Sequence, residues 1–179
     1  TNLVDGPTTI GANVLSMAYT FTSCTKLVNI PAVIPNSVTN MYATFYACTN
    51  LVDGPTTIGA NVLSMAYTFF GCSNLINIPA VIPNSVTDMA YAFNGCTNLV
   101  NGNITIGANV QNMYSTFNGC IKLVGDITVV NTSVTNFVNC FYGTNASLAK
   151  NLRCPTGSAS YNLAINTCNG INGVTVVAY

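Results

Sequence analysis

A 24-residue repeat runs through most of this sequence and restricts the folds open to it. The segment 1–21 recurs unchanged as 49–69, and a finer spacing of 24 residues lies inside that duplication. Five columns are in register: valine (Val14, Val38, Val62, Val86, Val110, Val134), methionine (Met17, Met41, Met65, Met89, Met113), phenylalanine (Phe21, Phe45, Phe69, Phe93, Phe117, Phe141), cysteine (Cys24, Cys48, Cys72, Cys96, Cys120) and leucine (Leu3, Leu27, Leu51, Leu75, Leu99, Leu123). One unit buries too little apolar surface to offset its own conformational entropy, so neighbouring units must share a core, which makes a solenoid.

The spacing of the apolar columns predicts a helix in each unit. Val14, Met17, Phe21 and Cys24 stand at i, i+3, i+7 and i+10, which is one face of an α-helix. The residue before each valine is Asn or Ser and favours a helix N-cap (Asn13, Ser37, Asn61, Ser85, Asn109, Ser133). In four units a glycine two residues after the phenylalanine fits a left-handed turn at the helix end (Gly71, Gly95, Gly119, Gly143). Each unit is therefore expected to contain about two or three helical turns.

The rest of each unit predicts a short strand. The run 27–30 is β-prone and Pro31 stops it, and on a solenoid such runs pair in parallel. We expect an α/β solenoid of six repeats over 1–144, followed by a C-terminal capping segment over 145–179 that ends in a β-strand. Because the chain begins just after the cysteine position of a unit, we also expect repeats, a cap or another domain upstream.

The motifs inside the units carry a family resemblance. The run Pro35-Asn36-Ser37-Val38-Thr39-Asn40-Met41, followed by Phe45, Cys48 and Leu51, resembles the BspA-like leucine-rich repeat and the related bacterial surface-protein 26-residue repeat, whose units carry V-T-N-M, then F-x-G-C and a leucine. Val86-Thr87-Asp88-Met89 with Phe93-Asn94-Gly95-Cys96 is a second match. The resemblance implies a leucine-rich-repeat-like solenoid and a surface-displayed adhesin. It would be extracellular, on a cell, virion or fibre surface, and would bind a protein or glycan on a host or neighbouring cell.

Charged side chains are scarce, which excludes several functions. Only eight of 179 residues are charged, the net charge is zero, and there is no His or Glu. A neutral surface releases no counterions from a nucleic acid, so nucleic-acid binding is excluded. Without His or Glu, most acid/base and metal chemistry loses its usual donors and ligands, so we expect no enzymatic activity, no cofactor and no metal. Asn, Thr and Gly interrupt every apolar run before the roughly 18 residues of a membrane span.

A polar column stands two residues after the leucines, at Asp5, Asn29, Asp53, Asn77 and Asn101. On stacked rungs these side chains lie above one another at roughly the 4.8 Å spacing of β-strands. Alternating carboxylates and amides can bind sugar hydroxyls or Ca²⁺, or they can form a ladder that hydrogen-bonds to neighbouring backbone. We take Asn29, Asp53, Asn77 and Asn101 as candidate partner-binding residues.

Aromatic side chains flank the phenylalanine column and include several off the apolar face. Among them, Tyr42, Tyr46 and Phe70 are candidate partner-binding residues, because partly exposed aromatics are typical of interfaces. The alternative is that they pack between adjacent rungs.

The cysteines have a structural interpretation. The five column members are predicted to be small buried hydrophobes, since neither His nor C-x2-C spacing offers a zinc site. Cys140, Cys154 and Cys168 lie outside the column. The sequence leaves open whether Cys154 and Cys168 form a disulfide or stay reduced. A disulfide between two of these three cysteines would leave the third unpaired.

Two functions from different classes fit these features. The first is a non-catalytic, surface-exposed repeat domain that mediates adhesion or receptor binding to a protein or glycan partner. The alternative is structural: a neutral spacer, or a self-associating component of a fibre or coat.

Overall fold

The repeats form stacked rungs. The computed structural model describes residues 2–168 and 170–179. Parallel bridges join residues 24 apart, such as Asp5 with Asn29 and Ser16 with Asn40, so each unit is one rung of a solenoid. We number the rungs from the leucine column: rung 1 is 3–26, rung 2 is 27–50, rung 3 is 51–74, rung 4 is 75–98, rung 5 is 99–122 and rung 6 is 123–146. The architecture is a repeat solenoid with parallel strand pairing. Thr1, the first residue of the predicted repeat region, lies outside the described residues.

The apolar columns form one continuous core along the solenoid. In rungs 2 to 5 the column residues are fully buried, as with Val38, Met41 and Phe45. Successive phenylalanines stack with ring centroids 5.3–5.6 Å apart and planes within 15° of each other, from Phe21 to Phe141. Each phenylalanine ring therefore packs on the equivalent ring of the next rung, which explains why the spacing of 24 residues between phenylalanines is constant.

The predicted helix in each rung is wrong. Within the described residues, the α-helix of this protein is Ala159–Thr167, outside the repeats. In every rung, two residues of the segment predicted as helix have positive φ, which a right-handed helix excludes. The first lies two residues after the methionine column, at φ 51–60° (Tyr19, Ala43, Tyr67, Tyr91, Ser115, Asn139). The second lies two residues after the phenylalanine, at φ 56–74° (Ser23, Ala47, Gly71, Gly95, Gly119, Gly143).

Consecutive tight turns replace the helix, and their backbone amides alternate between two kinds of acceptor. In rung 1 the amides of residues 20, 22 and 24 donate to the carbonyl three residues earlier, at 3.1–3.3 Å. The amides of residues 17, 19, 21 and 23 donate to carbonyls of rung 2, at 2.7–2.9 Å. Four bonds of this second kind join each rung to the next as far as rung 6. We call them the cross-rung ladder. The turns repeat with the same three- and four-residue apolar spacing as a helix, so the sequence pattern fits both.

A polar side chain closes the first of these turns. It stands directly before the methionine, or before Phe137, which replaces the methionine in rung 6. It accepts a hydrogen bond from the amide two residues ahead at 2.9–3.3 Å, in all six rungs (Ser16, Asn40, Ser64, Asp88, Asn112, Asn136). This is the Asx-turn or Ser/Thr-turn geometry. The N-caps predicted three residues earlier, from Asn13 to Ser133, therefore cap no helix, because the chain there has none to begin.

The column cysteines are buried, as predicted, and their thiols also donate hydrogen bonds. The Cys48 Sγ donates to the Phe21 carbonyl oxygen at 3.1 Å, and the next three column cysteines repeat the contact at 3.0–3.1 Å (Cys72, Cys96, Cys120). Burial raises the pKa of the Cys48 thiol to about 12 and that of Cys120 further above its usual range. Cys48, Cys72, Cys96 and Cys120 thus link neighbouring rungs through protonated thiols.

Regular strands and the helix lie toward the C-terminus. In chain order they are β1 (Ile104–Ile106), β2 (Gly125–Val129), β3 (Lys150–Cys154), α1 (Ala159–Thr167), a 3-10 turn (Ile171–Gly173) and β4 (Val174–Ala178). The four strands form a parallel sheet in the order β1-β2-β3-β4, which places Ile104, Ile127, Leu152 and Val176 side by side in the core. The predicted C-terminal strand is confirmed as β4. The sheet runs across residue 144, so the boundary at 144/145 stays a prediction.

The segment after rung 6 is tied to the solenoid by polar contacts. Lys150 is buried, and its ammonium donates to the carbonyls of Asn145 and Leu148 at 2.8 and 2.6 Å. The Ser158 hydroxyl accepts the Tyr161 amide at the N-terminus of α1. Cys154 and Cys168 are two buried thiols in this structure, and no disulfide joins them.

A glycine substitution distinguishes the turns from a helix by the sign of its effect. Ala47 has a φ of 56° at the position that Gly95 occupies two rungs later with a φ of 74°. Because a left-handed conformation costs a non-glycine residue about 1–2 kcal/mol, Ala47→Gly should raise the free energy of unfolding and Gly95→Ala should lower it by about 1 kcal/mol. In a helix, Ala47→Gly would instead destabilise by about 1 kcal/mol. Urea unfolding of both variants measures the sign.

Stability should fall as the pH rises above the pKa of an unfolded thiol, about 8.5. The folded-state pKa of Cys48 is raised to about 12, so its stabilising effect is complete below pH 8.5 and is lost as the pH climbs toward 12. The loss is up to about 1.4 kcal/mol per pH unit for each such thiol. Urea unfolding under reducing conditions at several pH values measures this slope. Cys48→Ala should make it shallower, and an unchanged slope would contradict the assignment.

Candidate functional site

A row of aromatic side chains crosses rungs 1 to 5. We call it the aromatic strip, and it comprises Tyr19, Tyr42, Tyr46, Tyr67, Phe70, Tyr91 and Tyr114. Tyrosines of successive rungs contact each other with ring centroids 4.6–5.5 Å apart. Beside them, Tyr46 stacks on Phe70 at 4.8 Å with the ring planes 4° apart. The strip therefore contains the predicted residues Tyr42, Tyr46 and Phe70. Their rings pack between rungs and stay half-exposed, and their role in binding a partner stays a prediction.

Three tyrosines of the strip have an unfavourable backbone conformation. Tyr19, Tyr67 and Tyr91 occupy the positive-φ position after the methionine, where glycine or asparagine would be favoured. In the other two rungs the tyrosine comes one residue earlier and a small residue, Ala43 or Ser115, takes the positive φ. These five tyrosines thus come from two different positions in the repeat, one and two residues after the methionine. The stacking contacts hold the tyrosines in a conformation that costs about 1–2 kcal/mol elsewhere.

A pocket of about 330 Å³ opens at the rung 1 to rung 3 end of the strip. Its lining includes Tyr19, Tyr42, Tyr46 and Tyr67, together with Thr22. Three of these four tyrosines, Tyr42, Tyr46 and Tyr67, are half-buried and contact rings of neighbouring rungs. Tyr19 is the exception, with 61% of its surface exposed.

The pKa values of two tyrosine hydroxyls in the strip are raised, those of Tyr42 and Tyr91. A hydrogen bond with Tyr114 raises the pKa of Tyr91 to about 12, with burial as the next cause. Burial raises the pKa of Tyr42, and a hydrogen bond with Tyr19 adds to the effect. The strip therefore presents neutral groups that both donate and accept hydrogen bonds.

The polar column forms pairs rather than one continuous ladder. The Asn29 amide donates to the Asp5 carboxylate at 2.6 Å, and the Asn77 amide donates to the Asp53 carboxylate at 2.7 Å. The Asn101 side chain accepts the Asn103 amide within its own rung. Among the described residues, parallel bridges accordingly join rung 1 to 2 and rung 3 to 4 in this column, but not rung 2 to 3.

An alternation between glycine and isoleucine accounts for the pairing. In rungs 1 and 3 the residue after the aspartate is Gly6 or Gly54, whose amide donates to the carbonyl of Asn29 or Asn77 at 2.9 Å. A Cβ on these glycines would lie 2.9 and 3.1 Å from that same carbonyl oxygen. Only a residue without Cβ allows this approach. Rung 2 carries Ile30 at the equivalent position, so the contact with rung 3 does not form there.

A cleft of about 460 Å³ opens where the pairing is interrupted, between rungs 2 and 3. We call it the strand-side cleft. Asn29, Asp53 and Asn77 line it, with Ile30, Pro55 and Thr56. Asn101 is not part of its lining, and the cleft shares no lining residue with the aromatic pocket. Sequence reasoning found the polar members but not the cleft, although the alternation of Gly and Ile before the prolines is visible in the sequence.

The comparison with known families follows these observations. The sequence model of the BspA type leucine rich repeat region matches in six copies, over residues 9–124 and 65–177. This chain belongs to the BspA-type leucine-rich repeat family. The predicted resemblance is confirmed, and BspA-type repeats are consistent with a repeat protein that binds proteins. The BspA-type family is typically found on bacterial surfaces.

Two further findings complete the comparison. No curated protein and no solved structure matches this BspA-type chain. Over residues 2–168 and 170–179, the structure contains no helix with the length and apolarity to cross a bilayer.

The tyrosine contacts can be tested by titration. Because the hydrogen bond with Tyr114 is the main cause of the raised pKa of Tyr91, Tyr114→Phe should lower the Tyr91 pKa toward the ordinary value of about 10. Tyrosinate absorbance or ¹³C NMR of labelled tyrosine measures it. Tyr161→Phe, in α1 and outside the strip, should leave the high-pH transition in place. Identical titrations of the wild type and Tyr114→Phe would contradict the contact.

Proposed function

We propose that this chain is a non-catalytic, surface-displayed repeat domain that mediates adhesion by binding a protein partner through the aromatic strip. The observation that carries the proposal is the row of half-exposed tyrosines across five consecutive rungs. The membership in the BspA-type family supports an extracellular location at a cell surface. A glycan as the ligand of this strip is less favoured, because two of the ring contacts, Tyr46 with Phe70 and Tyr67 with Tyr91, are face to face and cover surface on which a sugar would lie.

The side chains of the strip are suited to a protein interface. Tyrosine supplies a large apolar contact area together with a hydroxyl, and it is enriched among residues that dominate binding energies. Immobilising a side chain on binding costs about 0.5–1.5 kcal/mol, and rings already held by their neighbours avoid much of that cost. Tyr42, Tyr46 and Tyr67 are half-buried before any partner arrives.

The dimensions of the strip also favour a macromolecular partner. The four steps from Tyr19 to Tyr114 extend over roughly 20 Å. A strip of this length fits within a standard protein interface, which buries about 800 Å² on each partner. No charged side chain lines the pocket at its end. Association should therefore depend little on ionic strength, since there is no charge pattern to be screened.

The state of the cysteines supports a role without catalysis. A cysteine acts as a nucleophile as its thiolate, and burial holds the pKa of Cys48 near 12 and that of Cys96 well above its usual range. The sequence has no His, which is the base that most often activates a Ser or Thr hydroxyl, and no Glu.

The binding role predicts a loss of affinity on truncating the strip. Against an array of extracellular matrix proteins, we expect the wild type to bind at least one of them, and Tyr46→Ala to weaken that binding about tenfold or more. Tyr142→Ala is the matched control, because Tyr142 occupies the same register position in rung 6, is 63% exposed, and lies outside the strip. Binding should persist at high salt.

Three outcomes would contradict the proposal. One is the absence of any bound protein on the array. Another is an equal loss of binding in Tyr142→Ala, which would place the effect outside the strip. The third is the appearance of ordered polymers in light scattering at rising concentration, which would favour the spacer or fibre component over the adhesin.

A further inference from the structure

The strand-side cleft leaves four backbone groups without partners inside the protein. Between rungs 1 and 2, the Val28 amide donates to the Val4 carbonyl at 2.8 Å and the Gly6 amide donates to the Asn29 carbonyl. The equivalent bonds between rungs 2 and 3 would join Val52 to Val28 and Ile30 to Asp53. In the described part of the chain neither forms. Two amides and two carbonyls are therefore open to a ligand at this junction. In the described part of the chain the same two bonds are also absent between rungs 4 and 5, where Asn101 takes the place of Asp53 and supplies no carboxylate.

The side chains add further hydrogen-bonding groups around an apolar floor. Asp53 is exposed, and one of its carboxylate oxygens accepts the Asn77 amide. Asn29 is likewise exposed at the rim. Ile78 and Pro55 are buried and form apolar surface beneath these polar groups. The volume of about 460 Å³ lies within the range of roughly 300–1,000 Å³ typical of small-molecule sites.

We propose that the strand-side cleft binds a neutral saccharide. Each sugar hydroxyl both donates and accepts, which matches a site with free amides, free carbonyls, a carboxylate and side-chain amides. Neighbouring hydroxyls of one ring can bond to the Asp53 carboxylate and an adjacent amide together, while the C–H groups of the ring pack on Ile78 and Pro55. The Asp53 carboxylate is the one charge of the cleft lining, and it disfavours phosphorylated or sialylated ligands.

An extended peptide fits the same cleft less well. Strand addition needs a continuous edge of alternating amides and carbonyls. The open groups here lie two on each wall. Pro31 directly follows the set on rung 2, and the set on rung 3 is followed by Gly54, whose amide already donates to the Asn77 carbonyl, and then by Pro55. Proline has no amide to continue the row. The cleft therefore suits a compact ligand.

This site is independent of the aromatic strip. The two pockets share no lining residue, so saccharide binding can fail while protein binding through the strip succeeds, and the reverse. A variant that loses binding at one site but keeps binding at the other is thereby shown to be folded.

The test uses the whole chain and a panel of probes. Isothermal titration and saturation-transfer NMR would be run with neutral oligosaccharides of glucose, galactose, mannose and N-acetylglucosamine, with one sialylated oligosaccharide, and with an extended peptide library. We expect at least one neutral oligosaccharide to bind. Asp53→Asn should weaken it about tenfold, the effect of losing a hydrogen bond to a charged group. Asp126→Asn is the control, since it alters a carboxylate–asparagine contact, that with Asn151, whose two residues do not line the cleft.

A second pair of variants tests the place of binding without altering charge. Ala32 lines the cleft, and Ala80 is its counterpart two rungs later. Ala32→Phe should fill the cleft and abolish saccharide binding, while Ala80→Phe should leave it unchanged, both judged on protein with wild-type thermal stability. The proposal is overturned if no neutral saccharide binds, if the sialylated or peptide probes bind instead, or if Asp126→Asn or Ala80→Phe weakens binding as much as its partner variant.

Discussion

The cross-rung ladder is the interaction on which the rest of this structure depends. Half of the amides in each turn segment donate to the next rung rather than within their own, at 2.7–3.0 Å. A rung by itself would leave those amides unsatisfied, and buried unsatisfied amides each cost about 1–3 kcal/mol. The stacking of rungs is therefore imposed by the backbone as well as by the apolar columns. The same ladder sets the register that aligns the phenylalanines, the cysteine thiols and the tyrosines.

The repeat made much of the architecture predictable from sequence. The columns of Val38, Met41 and Phe45 identified the core residues, and the 24-residue spacing predicted the solenoid and its parallel pairing. The helix was predicted wrongly because a chain of tight turns buries residues at the same three- and four-residue spacing as a helix. The signal against it was the glycine that stands two residues after the phenylalanine in four units, because that position has a positive φ in all six units rather than a helix end. Nothing local predicted positive φ at Tyr67 or Tyr91, since only the neighbouring rungs hold them there.

The candidate surfaces were predictable as columns but not as sites. The sequence identified Tyr42 and Tyr46 as aromatic residues outside the apolar face. It did not predict that they line one pocket with Tyr19 and Tyr67, because these tyrosines occupy different positions in their repeats. The polar column was expected to continue from rung to rung. It breaks because Ile30 has a Cβ where Gly54 has none, so departures from the exact repeat create the cleft. In a solenoid the repeat specifies the scaffold, and the differences between units specify what it binds.

The most direct test of the ladder is a scalar coupling across a hydrogen bond. The Phe69 amide donates to the Ala92 carbonyl at 2.8 Å, across 23 residues of sequence. NMR of uniformly labelled protein should show a coupling between the Phe69 nitrogen and the Ala92 carbonyl carbon. A helix over the same segment would instead couple the Phe69 nitrogen to the Met65 carbonyl carbon, four residues earlier. That second result would contradict the ladder and the turn structure built on it.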